Sequence, residues 1–277
     1  MSPVRSPVRW PIAAMVTLVM AVAALPMAAR AAAPSFVHGG QVTMCTDPTY
    51  PPMEMYTHPG DQAPVGFDID LGTALAKVWG AKLTVETLEF TGLLPGLGGG
   101  RCDFVISGMF ISPARTKVFD GVPYLRSSMV LLVRADNTSV HGPDDLAGKV
   151  LAVQSGTIYE QRAHALAKQL AAAGKPALTI QAYPKGTAVA EQLLTGRAQA
   201  GITQDTEAAY RAVVQPGKFK IAYTYPPTDS FGIYFRKNPA DMTLIESDVT
   251  QLRKDGIIRQ LAAKWHLPET DATAPLH

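Results

Sequence analysis

One arginine stands where it could do chemistry. Arg115 closes the segment Ile106-Ser107-Gly108-Met109-Phe110-Ile111-Ser112-Pro113-Ala114-Arg115, in which an apolar strand runs into a loop of little side-chain bulk. Serine followed by proline reads as an N-cap with Pro at the first helical position, so Arg115 falls in the first turn of a short helix. Backbone N–H groups and a guanidinium converging at the carboxyl end of a strand make an anion site. The same spacing also suits a surface arginine beside an ordinary strand–helix loop.

Other chemistry-bearing patterns are missing. The chain has no G-x-S-x-G, no P-loop and no metal-spaced histidine pair, and its two cysteines cannot build a disulfide scaffold. No metal or cofactor is therefore expected. Gly96-Leu97-Gly98-Gly99-Gly100 follows a helical pattern rather than linking strand to helix, so it reads as helix termination and not as a dinucleotide loop. The 277 residues are 47% hydrophobic and 17% charged, with a formal net charge of +2, which gives no electrostatic footing for nucleic acid.

That small positive charge sits in the first thirty residues. Arg5 and Arg9 precede an apolar stretch from Pro11 to Met27, and Ala29-Arg30-Ala31 follows as a small-residue cleavage site. Residues 1–31 read as a signal peptide, too short and too proline-flanked for a membrane anchor. Without them the chain carries 22 basic against 23 acidic residues, a formal −1. The mature protein, starting near Ala32, is expected to be soluble and exported.

The elements that must position Arg115 alternate between strand-like runs and amphipathic helices. Phe67, Leu71, Ala74, Leu75 and Val78 lie on one helical face, with Asp68 and Asp70 in the first turn, where the helix dipole favours acids. Strands are expected at 42–46, 82–88, 104–106, 150–153, 177–182, 200–203 and 231–235. Helices fill the intervals at 93–97, 157–173, 186–195 and 206–213, with a last one from an Asp255 cap to Trp265. Strands separated by helices of this length imply two parallel-rich α/β lobes.

The ordered motifs carry a resemblance. Thr46-Asp47-Pro48-Thr49-Tyr50-Pro51-Pro52, Gly66-Phe67-Asp68-Ile69-Asp70-Leu71, Phe90–Leu97, Asp103–Arg115, Gln154-Ser155-Gly156-Thr157, Gly196-Arg197 and Asp255–Trp265 run through nearly the whole mature chain. Together they resemble the family-3 bacterial extracellular solute-binding proteins of polar amino acid ABC transporters.

The resemblance implies an α/β, type II periplasmic-binding fold of two lobes joined by two hinge strands. Its divisions would be 32–128 for lobe 1, 129–225 for lobe 2, 226–268 for the return to lobe 1, and 269–277 for a flexible tail. It implies a periplasmic, monomeric receptor that captures a small carboxylate-bearing solute, an amino acid or a derivative, and delivers it to an inner-membrane ABC permease by lobe closure. By position, Arg115 would grip the ligand carboxylate, Gly108 would line the same pocket, and Thr157 would meet the carboxylate from lobe 2. Tyr50 and Phe90 match an aromatic pair that sandwiches the ligand side chain, and Asp47 matches a partner for a cationic side chain. Asp68 and Asp70 remain helix-start residues rather than ligand contacts.

Two positions depart from the family pattern. Phe110 stands where Ser or Thr is usual, and Gln204 where an Asp normally pairs with the ligand ammonium, with Asp205 one residue further on. Either the ammonium site is neutral or Asp205 has taken it over. In the implied fold Cys45 and Cys102 are too far apart to bridge and are expected as free thiols. The alternatives on the same fold are an exported enzyme of the cyclohexadienyl-dehydratase kind and a sensory ligand-binding domain.

Overall fold

The computed structural model describes residues 1–3, 32–226 and 229–276. Nearly all of the expected signal peptide, residues 4–31, lies outside the described residues. Two five-stranded sheets organise the rest.

The first sheet is built from β1 (Gln41–Thr46), β4 (Lys82–Thr87), β5 (Phe104–Val105), β6 (Phe119–Ser127) and β12 (Asp229–Arg236), in the order β4-β1-β5-β12-β6. Strands β4, β1 and β5 run parallel, and β12 lies antiparallel between β5 and β6. A small hairpin, β2 (Thr49–Tyr50) and β3 (Glu54–Met55), leads from β1 to α1 (Phe67–Val78). Helix α1 buries Phe67, Leu71 and Leu75 on one face, as its periodicity predicts. Helices α2 (Leu93–Gly98), α3 (Pro113–Thr116), α7 (Pro239–Lys254) and α8 (Ile257–Lys264) belong to the same half. Because helices cover both faces, β1 buries Met44, Cys45 and Thr46 in succession instead of alternating.

The second sheet repeats the plan. Its strands are β7 (Met129–Arg134), β8 (Val150–Gln154), β9 (Thr179–Tyr183), β10 (Ala200–Gln204) and β11 (Phe219–Thr224), ordered β11-β7-β10-β8-β9. Strands β9, β8 and β10 are parallel, and β7 lies antiparallel between β10 and β11. Helices α4 (Ile158–Ala172), α5 (Gly186–Leu194) and α6 (Asp205–Val214) follow β8, β9 and β10. The chain passes between the sheets at Ser127–Met129 and again between Tyr225 and Asp229.

Three expectations need correction. Cys45 and Cys102 are joined in a disulfide with Cα atoms 5.7 Å apart, so neither is a free thiol. Strand β5 begins only at Phe104, whose partner on β1 is Met44. Cys102 precedes it on the segment leaving α2. There the chain packs against the sheet face with Leu93, Leu97, Met109 and Tyr234 instead of extending along the strand line.

The expected flexible tail instead holds α9 (Glu269–Thr273), with Asp271 and Ala272 buried. Arg126 and Arg253 donate to the carbonyls of Pro275 and Ala274, so the tail's orphan acceptors are satisfied by side chains of the body. Helix α8 starts after Gly256 in a left-handed conformation, while Asp255 closes α7. The Gly-rich run after α2 does end that helix, with Gly99 at the C-cap and Gly100 at positive φ.

Candidate functional site

The carboxyl ends of β1, β5, β8 and β10 point at one cavity, where loops following parallel strands place polar groups. The first half supplies Asp47, Tyr50, Glu54, Phe90, Ser107, Gly108, Phe110 and Arg115; the second supplies Gln154, Thr157, Ile158, Tyr159 and Gln204. Its internal volume is about 10 Å³, room for roughly one water. A ligand of amino acid size needs the two halves to separate.

Arg115 follows the Ser112 cap in the first turn of α3, as its sequence predicts. The half-buried guanidinium donates to the Phe110 carbonyl at 2.7 Å and lies 5.7 Å from the Phe90 ring centre. Of the described residues lining the cavity it is the only cation. Gly108 is required by geometry: its φ is +47°, and a Cβ there would lie 2.6 Å from the Tyr50 ring. Phe110 is buried, with its ring 4.8 Å from Phe231 and edge-on to Tyr159, filling the site with aromatic bulk.

Tyr50 lies under Gly108 and against Phe231, with its hydroxyl 2.7 Å from that of Thr206. Thr157 caps α4; its hydroxyl donates to the Gln154 carbonyl and accepts from the Glu160 N–H. Asp47 accepts from Gln154 Nε2 at 2.8 Å, and burial pushes its carboxyl up to about 6.

Gln204 is 1% exposed at the N-cap of α6, and its Nε2 points at the Gly108 carbonyl, 3.4 Å away. That contact turns Oε1 away as an acceptor without a partner. Asp205, by contrast, is not brought to the cavity. Helix α6 starts at Asp205, which accepts from the Ser127 hydroxyl at 2.6 Å and the Ser128 N–H at 3.0 Å. It braces the crossing between the sheets and has not taken over the position of Gln204.

Sequence reasoning missed Glu54. It lies wholly buried in β3, and its Oε1 accepts from the Ser107 hydroxyl at 3.0 Å. Asp68 is also wholly buried, accepting from the Gly108 N–H and the Tyr124 hydroxyl, so it is a second support of the cavity floor and not merely a helix-start acid. Asp70 does stay outside, accepting from Trp265 and Lys264. Burial raises both the Glu54 and Asp68 carboxyls, and repulsion by the Asp68 charge adds to the rise at Glu54. The only sequence signal for this pair is an acid in the short Met53-Glu54-Met55 stretch. Among the described residues there is no cluster of groups able to hold a metal ion.

Two doubly layered sheets with a polar cavity between their strand ends, and one guanidinium inside it, define a two-lobed binding protein. The chain matches the profile of the bacterial extracellular solute-binding proteins, family 3, over residues 42–268, and belongs to that family. It is 28% identical over 229 residues to the probable ABC transporter arginine-binding protein ArtJ of Chlamydia trachomatis, covering 80% of this chain and 84% of that protein. An ancestral arginine-binding protein bound to arginine superposes with a TM-score of 0.74 at 29% identity, covering 82% of this chain and 98% of that one. An ancestral amino acid-binding protein, a precursor of cyclohexadienyl dehydratase, gives 0.73 at 30% identity, with 82% and 96% covered. The fold is the type II periplasmic-binding fold, and the chain is a solute-binding protein.

Proposed function

We propose that this protein captures a small carboxylate-bearing amino acid or amino acid derivative in the periplasm and presents it to an ABC importer as a closed monomer. The observation carrying this reading is Arg115, the only cation among the described residues lining a cavity otherwise built from aromatic rings, neutral polar groups and buried acids. A guanidinium matches a carboxylate bidentately, and here it would exchange the Phe110 carbonyl for the ligand. Thr157, at the start of α4, would approach the same carboxylate from the second lobe, where the helix N-terminus favours an anion. Asp47, Tyr50 and Phe90 would surround the side chain, with arginine as the first ligand to try.

The proposed lobes are 32–128 with 226–268, and 129–225, hinged at Ser127–Met129 and Tyr225–Asp229. Opening must break bonds that already join them: Gln154 to Asp47, Gln204 to Gly108, Thr206 to Tyr50 and the Gly186 N–H to the Thr49 hydroxyl. A ligand that replaces them with its own contacts gains closure at little further cost.

Calorimetric titration of the mature protein against the standard L-amino acids and simple carboxylates tests the reading. Arg115→Ala should weaken the tightest ligand by at least about thirtyfold, the scale of truncating one partner of a buried charge pair. Unchanged affinity would remove the central assignment. Catalysis is a second reading, favoured by the likeness to a dehydratase precursor and by a protonated Glu54 in the cavity. Product formed from prephenate or arogenate would establish it against the receptor.

A further inference from the structure

The family's usual ammonium partner is missing at Gln204, and Asp205 does not replace it. The cavity nevertheless holds two buried acceptor oxygens without donors, Gln204 Oε1 and Glu54 Oε2. Both residues cluster on one short segment. Glu54 meets the Ser107 hydroxyl, Asp68 takes the Gly108 N–H, and Gln204 Nε2 points at the Gly108 carbonyl.

A buried acceptor without a donor is costly, and two buried carboxyls side by side cannot both ionise without a cation. The groups around Glu54 offer none. Asp68 on α1, Asp47 after β1 and Ser107 after β5 act on it most strongly. Its neighbours Tyr50 on β2, Tyr124 on β6 and Tyr159 on α4 stay neutral because burial raises all three phenols. Arg115 is already on the Phe110 carbonyl and against Phe90. With no cation at hand, burial and the nearby Asp68 charge favour the protonated Glu54 carboxyl.

We propose that Glu54 and Gln204 together receive the ammonium group of the ligand, through their two unpartnered cavity oxygens. The proposal rests on the amino acid-binding reading above. In the step, the Glu54 carboxyl gives its proton to solvent and becomes a carboxylate, and the ligand's ammonium keeps all three of its own. The neutral Gln204 Oε1 accepts a second ammonium hydrogen. Glu54 thus supplies the charge that position 204 lacks, and does so only when a cation is present. Such a subsite favours amines over des-amino analogues without a permanent naked carboxylate in the empty cavity.

Proton counting tests this. L-Arginine and its des-amino analogue, 5-guanidinopentanoate, are titrated at pH 7 in two buffers of different ionisation enthalpy. Arginine binding to the wild-type protein is expected to release up to one proton, and the analogue none, with the analogue bound about tenfold or more weakly. Glu54→Gln, an isosteric stand-in for the protonated acid, should bind arginine about tenfold more weakly and without the release. Arginine binding without proton release, equal release by the analogue, or release unchanged in Glu54→Gln would each overturn the proposal and leave the carboxylate site standing. Arginine affinity indifferent to Arg115→Ala would instead overturn the site reading beneath it.

Discussion

The two halves of the molecule share one plan and bring different chemistry to the cavity. From the first come the acids and the cation at the site, Asp47, Glu54 and Arg115, together with a disulfide close behind Asp47. From the second come Gln154, Thr157, Ile158, Tyr159 and Gln204, all neutral. Burying a charge costs desolvation each time it leaves water, whereas neutral groups and helix N-termini cost far less. A fixed half that holds the charges and a moving half that brings neutral caps can therefore open and shut cheaply.

The largest test of that contrast removes the covalent brace of the charged half. Replacing Cys45 and Cys102 by Ser opens a loop with a sequence separation of 57 residues and should cost about 4 kcal/mol in denaturant unfolding. A loss well under 1 kcal/mol would mean that the cluster of Leu93, Leu97, Met109 and Tyr234 holds β1 and β5 together unaided.

The second test concerns charge at the junction. Burial, with repulsion from Asp205, pushes Asp271 up to about 8, while Asp47 is raised to about 6. In both cases the folded state binds the proton more tightly than the unfolded chain, whose carboxyls titrate near 4. Stability contributed by these groups is therefore full at acid pH and is lost as pH rises, through about 6 for Asp47 and about 8 for Asp271. Unfolding stability should fall from pH 6 to pH 8, with Glu54 and Asp68 sharing in the loss, and Asp271→Asn should shrink that loss by about 2 kcal/mol. A flat profile in the parent protein would contradict it.

Closure itself is probed at Gly186. A Cβ there would lie 2.9 Å from the Thr49 carbonyl, across the line between the halves, and 3.1 Å from Gln154 Oε1 of its own half. Gly186 begins α5 with an ordinary backbone, so alanine favours the helix while obstructing the approach. Gly186→Ala should weaken ligand by about tenfold and enlarge the bound form in small-angle scattering. Gly142→Ala, which meets only Tyr223 at 3.9 Å, should do neither.

The smallest effect is expected from Gln204→Asp, which gives the neutral half a charge. Affinity for an amino acid should rise about threefold, because the gain of a charge-assisted bond is largely offset by desolvating a second carboxylate near Glu54. A large rise, measured by titration, would mean that Glu54 carries little of the load.

Sequence reasoning reached what local patterns encode. Ser112-Pro113 caps α3 and sets Arg115 at the cavity, and the Phe67–Leu71–Leu75 face becomes the buried side of α1. It did not reach what depends on segments distant in the chain. Glu54 is an ordinary-looking turn acid until the β2–β3 hairpin presses it against Asp68 and Ser107. Asp205 reads as a plausible ligand residue until the start of α6 turns it toward Ser127 and Ser128. Cys102 looked remote because spacing gives distance along a strand, and the chain there had not yet entered one.

The docked C-terminus carries a practical consequence. Arg126, on the strand that leads to the second half, holds the Pro275 carbonyl, and Asp271 feels the charge of Asp205 across the same crossing. The segment through Pro275 therefore lies beside the crossing between the sheets. An affinity tag fused behind it would lie near that crossing, so binding data from such a fusion call for a tag-free comparison. For the same reason, an environment-sensitive dye attached at that end would report opening and closing without touching the cavity.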